Sequence, residues 1–329
     1  MADYTTIDNP ELYFQVKKYT GNSGTQSITL DGDIDMEPDI VWLKAASDGG
    51  EHAIYDSVRG ATKSFEVSDA LAEETVSDGL TAFASDGFSL GAGGDENSAT
   101  TIIAWCWKES TTAGLDIVSF TGSGSARTVS HSLSAVPHLM WVKNRADETQ
   151  HNIYHHKNTS NPETEILYVN LPNGTSDDNG FWNDTAPTSS VFTVGGDNGT
   201  NGSSDNMISY LWTEKQGFSK FGSYTGNGNA DGAFIYTGFR PAWVMIKGTA
   251  ADLSWTIYDN KRGYNPDNAY LLGDANDAEA SDKDIDILSN GFKPRTSNSA
   301  VGTDGNTYLY MAFAEAPFVN SNGVPCNAR

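Results

Sequence analysis

Short apolar runs, separated by small polar residues, set the pattern along this chain. The runs are rich in β-branched and aromatic residues, and clusters of Gly, Asn, Asp and Ser stand between them. Helical periodicity is nearly absent outside 69–74 and 277–280. This pattern predicts an all-β protein. Continuous apolar runs such as 40–43 and 243–246 further predict strands that are covered on both faces.

The same landmarks recur three times, at intervals of about 100 residues. An aromatic-Thr-Gly motif begins at Tyr19, Phe120 and Tyr224, and a proline, an apolar run and a lysine follow, ending at Lys44, Lys143 and Lys247. Further matching positions are His52, His151 and Trp255, then Phe88, Phe192 and Phe292, then Glu109, Glu214 and Glu315. A unit of about 100 residues is large enough to hold a core of its own.

We therefore predict three tandem copies of one small domain, not three blades of one ring. Several strands in each copy favour a two-sheet β-sandwich. The expected domains are a short N-terminal arm with the first sandwich at 1–112, the second at 113–216 and the third at 217–329.

The composition of the chain argues against nucleic acid as a partner. The 329 residues carry a formal charge of −23, which repels phosphate backbones and argues against nucleic-acid binding. No apolar stretch is long enough to predict a membrane span. The first residues lack the basic and apolar regions of a secretory signal, so we expect a protein that is not exported by that route. Cys106 lies in an apolar run and is expected to be buried, and the two cysteines provide no disulfide framework.

The sequence contains few motifs of known chemistry. Nucleophile-elbow, zinc-protease and phosphate-loop motifs are missing from the sequence, so we predict that the protein is not an enzyme. His151, His155 and His156 lie close together, and strand alternation places His151 and His155 on one face as a conceivable metal pair, but ordinary surface histidines are favoured. No cofactor is expected, calcium excepted.

Acidic loops are the better metal candidates. Asp31, Asp33 and Asp35 are spaced like the first half of a calcium loop, although no glutamate completes the motif. Asp282, Asp284 and Asp286 repeat the spacing. A calcium site and a solvated acidic turn both fit.

Loop aromatics allow a sugar site. Trp182, Asn183 and Trp255 are the candidates for stacking on and hydrogen bonding to a glycan, with packing in the core as the alternative. Trp182 is the first of these, because it stands outside any apolar run.

Several blocks resemble an uncharacterised domain family that is common in bacteriophages, especially marine ones. They include the Tyr19 and Lys44 motifs, 55–63, 85–91, 104–108, 183–195, 218–228 and 310–318. The resemblance implies a virion structural protein and supplies no catalytic residue. The second copy departs most, because His155 and Asn158 replace the Asp56/Arg59 and Asp259/Arg262 pairs that would brace a loop.

These observations lead to three hypotheses. The first is a non-enzymatic virion protein, exposed on the particle as a tail fibre, head fibre or decoration subunit and contributing to host attachment. The second is a glycan-binding module for receptor recognition, and the third is a polysaccharide depolymerase. The expected partners are other virion proteins, copies of the same chain as a trimer by analogy with phage appendages, and host-surface glycans.

Overall fold

The computed structural model describes residues 4–263, 265 and 268–326, and its regular structure is almost entirely antiparallel strands. The first segment (1–112) contains β1 (Phe14–Thr20), β2 (Gln26–Ile28), β3 (Ile40–Ala45), β4 (His52–Asp56), β5 (Lys63–Glu66), β6 (Glu74–Thr75), β7 (Leu80–Ala84), β8 (Gly87–Leu90) and β9 (Thr101–Trp107). The second segment (113–216) contains β10 (Leu115–Thr121), β11 (Arg127–Ser130), β12 (Leu139–Asn144), β13 (Asn152–His155), β14 (Glu165–Tyr168), β15 (Ser176–Asp177), β16 (Val191–Val194) and β17 (Asn206–Trp212). The third segment (217–329) contains β18 (Ser219–Thr225), β19 (Ile235–Tyr236), β20 (Phe239–Gly248), β21 (Thr256–Asp259), β22 (Tyr270–Leu272), β23 (Ile285–Leu288), β24 (Gly291–Pro294) and β25 (Thr307–Pro317).

Among the described residues, helical structure is confined to short turns. Two α-helical turns, α1 (Asn179–Trp182) and α2 (Asn198–Asn201), lie in the second segment, and 3-10 turns lie at Pro10–Leu12, Asp95–Asn97 and Pro162–Thr164. Within the described ranges, no helix is long and apolar enough to cross a membrane. The prediction of an all-β protein is confirmed.

One strand order occurs in the large sheet of every segment. The orders are β1-β9-β3-β4-β5-β6, β10-β17-β12-β13-β14-β15 and β18-β25-β20-β21-β22. The registers agree as well: Trp42 lies opposite Trp105, Trp141 opposite Tyr210, and Met245 opposite Met311. Smaller sheets, β2-β8-β7, β11-β16 and β19-β24-β23, accompany them.

The central strands of the large sheets are mostly continuous apolar runs, and successive side chains of a strand point to opposite faces. Both faces of these sheets are therefore apolar. In β3, Val41 and Leu43 join a cluster with Phe88 of the small sheet, which gives a sandwich. Trp42, on the other face, belongs to a different cluster. This arrangement explains the continuous apolar run at 40–43.

The inner faces of all three large sheets meet in one core. That cluster contains Trp42 and Trp105 of the first segment, Trp141 of the second and Trp243 of the third, among many others. The indole rings of Trp42 and Trp141 lie 5.5 Å apart between centroids, and those of Trp105 and Trp243 lie 6.3 Å apart. The expectation that each segment would hold a core of its own is therefore wrong for the inner faces.

Buried hydrogen bonds join each segment to the next in a cycle. Asp56 Oδ2 accepts from the Tyr210 hydroxyl at 2.7 Å, which links the first segment to the second. His155 Nε2 donates to the Tyr310 carbonyl at 3.2 Å, and the Trp105 indole donates to Asp259 Oδ2 at 3.1 Å. The third link returns to the first segment, so the three bonds connect the segments in a closed cycle.

The predicted loop brace is present where its residues occur. Arg59 pairs with Asp56, and Arg262 Nε lies 2.7 Å from Asp259 Oδ2, with all four side chains fully buried. Each arginine also donates to a strand carbonyl, at 2.9 Å in both cases. The brace is confirmed in the first and third segments.

Candidate functional site

Both predicted sugar-stacking tryptophans lie in the interior. Trp182 ends α1 fully buried, and its indole N–H donates to the Glu165 carbonyl at 2.9 Å. Trp255 is 2 % exposed and donates to the Tyr168 carbonyl at 2.6 Å. A ring without an exposed face cannot stack on a sugar from solvent, so the interpretation of Trp182 and Trp255 as sugar platforms is wrong. Their indoles instead satisfy buried carbonyls.

Asn183 is the exposed member of the predicted glycan set. It terminates α1 in the left-handed conformation with φ 52°, and its backbone N–H donates to the Asn179 carbonyl at 3.1 Å. Asparagine is one of the few non-glycine residues that adopts this conformation readily. Its position is explained by the end of the helix.

The acidic loop lies on the surface, with Asp31, Asp33 and Asp35 all exposed. Asp31 pairs with Lys17, and Lys261 Nζ lies 3.9 Å from its other oxygen. Among the described residues, these aspartates do not form a group of three donors close enough to share an ion. Within the described part of the chain, Asp282, Asp284 and Asp286 likewise form no such group, and calcium binding at these loops stays a prediction.

Two of the three predicted surface histidines, His151 and His155, are interior residues. His151 and His155 are almost fully buried, and desolvation lowers the pKa of His155 to about 3. His151 Nδ1 accepts from the Trp141 indole at 3.0 Å, which leaves Nε2 as the donor to the Glu66 carbonyl at 3.1 Å. His52 makes the matching bonds to Trp42 and to the Ala275 carbonyl. These histidines link segments and are not free to bind a metal.

His138 and His156, together with Glu214, form the one group of three possible metal donors in the described part of the chain. His138, His156 and Glu214 each present a donor atom, and these atoms lie within 4.8 Å of one another. The two imidazole rings are 4.3 Å apart at nearly perpendicular planes of 79°. All three side chains are partly accessible to solvent.

Strand pairing brings the three residues together. His138 precedes β12, His156 follows β13, and Glu214 follows β17, all at the same end of the sheet. The His156 backbone N–H donates to the His138 carbonyl at 2.9 Å, and the His138 N–H donates to the Trp212 carbonyl at 2.7 Å. Sequence reasoning noted Glu214 and His156 separately, but it missed their convergence with His138 because the register was unknown.

Hydrogen bonds fix both imidazole rings. His156 Nε2 donates to the Phe221 carbonyl of β18 at 2.8 Å, so its Nδ1 carries the lone pair. His138 Nδ1 accepts the Glu214 backbone N–H at 3.0 Å and lies 3.0 Å from Thr213 Oγ1. Desolvation lowers the pKa of His156 to about 4 and also lowers the pKa of His138. Both rings are therefore neutral at physiological pH.

The carboxylate of Glu214 is only half satisfied. Lys220 Nζ donates to Oε1 at 3.1 Å, while Oε2 is buried and has no hydrogen-bond partner among the described residues. A buried carboxylate oxygen without a donor is costly. It is a ready ligand for a cation.

A cavity of about 420 Å³ begins beside this cluster. Tyr236, 53 % exposed, lines it together with Tyr4, Gln216, Glu214 and Lys220. The Tyr4 and Tyr236 hydroxyls are 2.9 Å apart. An exposed aromatic face beside amide, carboxylate and ammonium groups is the chemistry that binds a sugar ring and its hydroxyls.

A second cavity, of about 320 Å³, is strongly acidic. Glu51, Glu66, Glu74, Asp95 and Glu96 line it. Burial raises the pKa of Glu96, whose Oε1 accepts from the Tyr55 hydroxyl, and burial together with neighbouring carboxylates raises that of Glu51. This concentration of negative charge disfavours anionic ligands.

Fold and site together define an all-β protein of several antiparallel sheets, with a histidine-carboxylate cluster at one end of the β12-β13-β17 sheet. The chain belongs to a family described only as a domain of unknown function, DUF7483, whose model matches residues 9–317. No curated protein matches the chain. One family model thus spans all three segments.

Proposed function

We propose that this chain is a non-enzymatic structural protein of a bacteriophage particle, exposed on its surface as a tail fibre, head fibre or decoration subunit. In the finer architecture, the proposal is three tandem β-sandwich copies of about 100 residues each, whose inner faces share one core. The phage assignment comes from the sequence resemblance, and the architecture supports a structural role.

The observation that carries the proposal is that buried polar side chains form hydrogen bonds between the segments. The Asp56, His155 and Asp259 side chains each make a hydrogen bond to the following segment. The lysines act alike: Lys44 Nζ donates to the Asn276 carbonyl at 3.1 Å, and Lys143 Nζ donates to the Ala70 carbonyl at 3.1 Å. Aspartate, histidine and lysine side chains, which often serve in catalysis, thus form hydrogen bonds between the segments.

Localisation tests the proposal directly. Particles of a phage that encodes the chain are purified, and electron cryomicroscopy with mass spectrometry asks whether the subunit is present and where its density lies. Density at an appendage tip supports host attachment, and density on the capsid lattice or tail body supports a decoration role. Absence from purified particles overturns the proposal.

Partners and assembly belong to the same proposal. Other virion proteins and further copies of this chain, as a trimer, are the proposed contacts. Sedimentation of the purified chain measures self-association: a species three times the chain mass supports the trimer, and a single-chain mass at all concentrations contradicts it.

A second candidate function is glycan recognition at the Tyr236 cavity. The exposed Tyr236 ring beside Gln216, Glu214 and Lys220 favours it. A glycan array compares the wild type with Tyr236→Ala and with Phe234→Ala. Phe234 is a matched control because it is 47 % exposed, yet it is not part of the cavity lining. Loss of binding in Tyr236→Ala alone supports the site, and equal binding by all three proteins rejects it.

A further inference from the structure

We propose that His138, His156 and Glu214 form a binding site for a divalent transition-metal ion of the Zn²⁺ type. Two imidazoles and one carboxylate form the donor set of three-ligand zinc sites, which leave a position open to water or a ligand. Imidazole nitrogens favour zinc and its transition-metal neighbours over calcium and magnesium, which prefer oxygen. This inference does not rest on the proposed virion function.

The hydrogen bonds around His156 match those of a metal ligand. A ligating histidine usually donates its other ring N–H to a carbonyl or carboxylate, which fixes the ring and directs the lone pair at the ion. His156 does so through Nε2 and the Phe221 carbonyl at 2.8 Å. In His138, Nδ1 accepts the Glu214 backbone N–H at 3.0 Å, so an ion at Nε2 requires the ring proton to move to Nδ1, where Thr213 Oγ1 at 3.0 Å can accept it in place of the Glu214 bond.

Glu214 adds the charge that two neutral imidazoles lack. Its buried Oε2 has no hydrogen-bond donor among the residues that the structure describes, so a cation there satisfies an otherwise unpaired acceptor. Lys220, which donates to Oε1, competes with such a cation, and its side chain is 37 % exposed. An ammonium at that distance opposes a second cation electrostatically.

The other two segments provide internal comparisons at the same backbone positions. In the first segment, Asp39, Ser57 and Glu109 occupy them, and the Ser57 hydroxyl donates to Asp39 at 2.7 Å. In the third segment, the positions hold Ala242, Asn260 and Glu315, and the Asn260 amide donates to Glu315 at 3.2 Å. Those carboxylates already have protein partners, and only the second segment supplies imidazoles.

The third segment also suggests substitutions that the backbone tolerates. His138→Ala and His156→Asn install the residues found at the equivalent positions, Ala242 and Asn260. His131→Ala is the matched control, because that ring lies elsewhere and bonds the Thr188 carbonyl. Near-ultraviolet circular dichroism confirms that each variant is folded.

The experiment is isothermal titration of the full chain with ZnCl₂, with Co²⁺ absorption spectra reporting the ligand set. We expect one saturable equivalent in the wild type and in His131→Ala, and at least about tenfold weaker binding in His138→Ala and in His156→Asn. Lys220→Gln should bind zinc more tightly than the wild type, a change that a merely structural role would not produce. Absence of saturable zinc binding, or unchanged affinity in the His138→Ala, His156→Asn double variant, overturns the proposal.

Discussion

Trp105 and Asp259 stand 154 positions apart in the sequence, yet the Trp105 indole N–H donates to Asp259 Oδ2 at 3.1 Å in the interior. This bond joins the third segment to the first. Because the other two junctions have bonds of the same kind, the three large sheets form a closed arrangement without a free end at the core.

The contribution of this ring-closing bond is measurable with two tryptophans of one strand. Trp107 is as deeply buried as Trp105, but its indole N–H has no hydrogen-bond partner in the described part of the chain. Trp105→Phe should therefore destabilise the fold by about 1.5–3 kcal/mol more than Trp107→Phe, because it alone removes a bond to a charged group. Urea unfolding of both variants gives the difference, and equal losses would show that the bond contributes nothing.

The buried lysines predict that stability rises in alkali. Desolvation lowers the pKa of Lys143 to about 7 and those of Lys44 and Lys247 to about 8, from 10.5. The unfolded chain therefore binds more protons than the folded chain between about pH 7 and 10.5, so the free energy of unfolding increases with pH there.

Lys143→Met isolates one of these lysines. Urea midpoints at pH 7, 8 and 9 should rise less steeply in this variant than in the wild type. Lys18→Met is the control, because Lys18 lies on β1 away from the core. A slope that is identical in all three proteins would contradict the assignment.

The buried histidines predict that the protein loses stability in mild acid. Desolvation lowers the pKa of His52 and of His155 to about 3, and that of His151 lies well below its usual 6.5. Below pH 6.5 the unfolded chain takes up protons that the folded chain refuses, so stability falls by about 1.4 kcal/mol per pH unit for each histidine. Unfolding midpoints at pH 7, 6 and 5 measure the slope, and His131→Gln should leave it unchanged.

Trp182 is predicted to matter for stability and not for ligand binding. It is fully buried, contacts Tyr154 edge-on at 6.0 Å and donates to Glu165, so Trp182→Ala should cost about 3–5 kcal/mol. Asn183→Gly keeps the left-handed backbone and should be nearly neutral. Thermal unfolding compares the two, and a neutral Trp182→Ala would contradict the packing role.

Local pattern was sufficient to predict the strands, since the apolar runs of β3 and β20 and the intervening Gly-rich turns are encoded in neighbouring residues. The threefold recurrence was also visible. The shared core was not, because nothing local tells whether the inner face of a sheet meets its own small sheet or two other segments. For the same reason, Trp182 and His151 were placed on the surface: the carbonyls they bond come from distant strands.

The middle segment lacks the Asp-Arg brace for a reason that the register explains. Asp56 accepts a hydrogen bond from Tyr210, and Asp259 accepts one from Trp105. Each donor belongs to the following segment in the cycle. The equivalent position facing the second segment is Met311, which has no such donor. His155 occupies the aspartate position there and instead donates to the Tyr310 carbonyl.

Installing the brace tests this explanation. His155→Asp alone should destabilise the fold by about 3–5 kcal/mol, because it buries a carboxylate without a cation. Adding Asn158→Arg, at the spacing of Arg59 from Asp56, should recover part of that loss through a favourable coupling of about 0.5–3 kcal/mol. Full recovery is not expected, since Met311 still offers no third donor. A double-mutant cycle in urea measures the coupling, and strict additivity of the two substitutions would contradict the pairing.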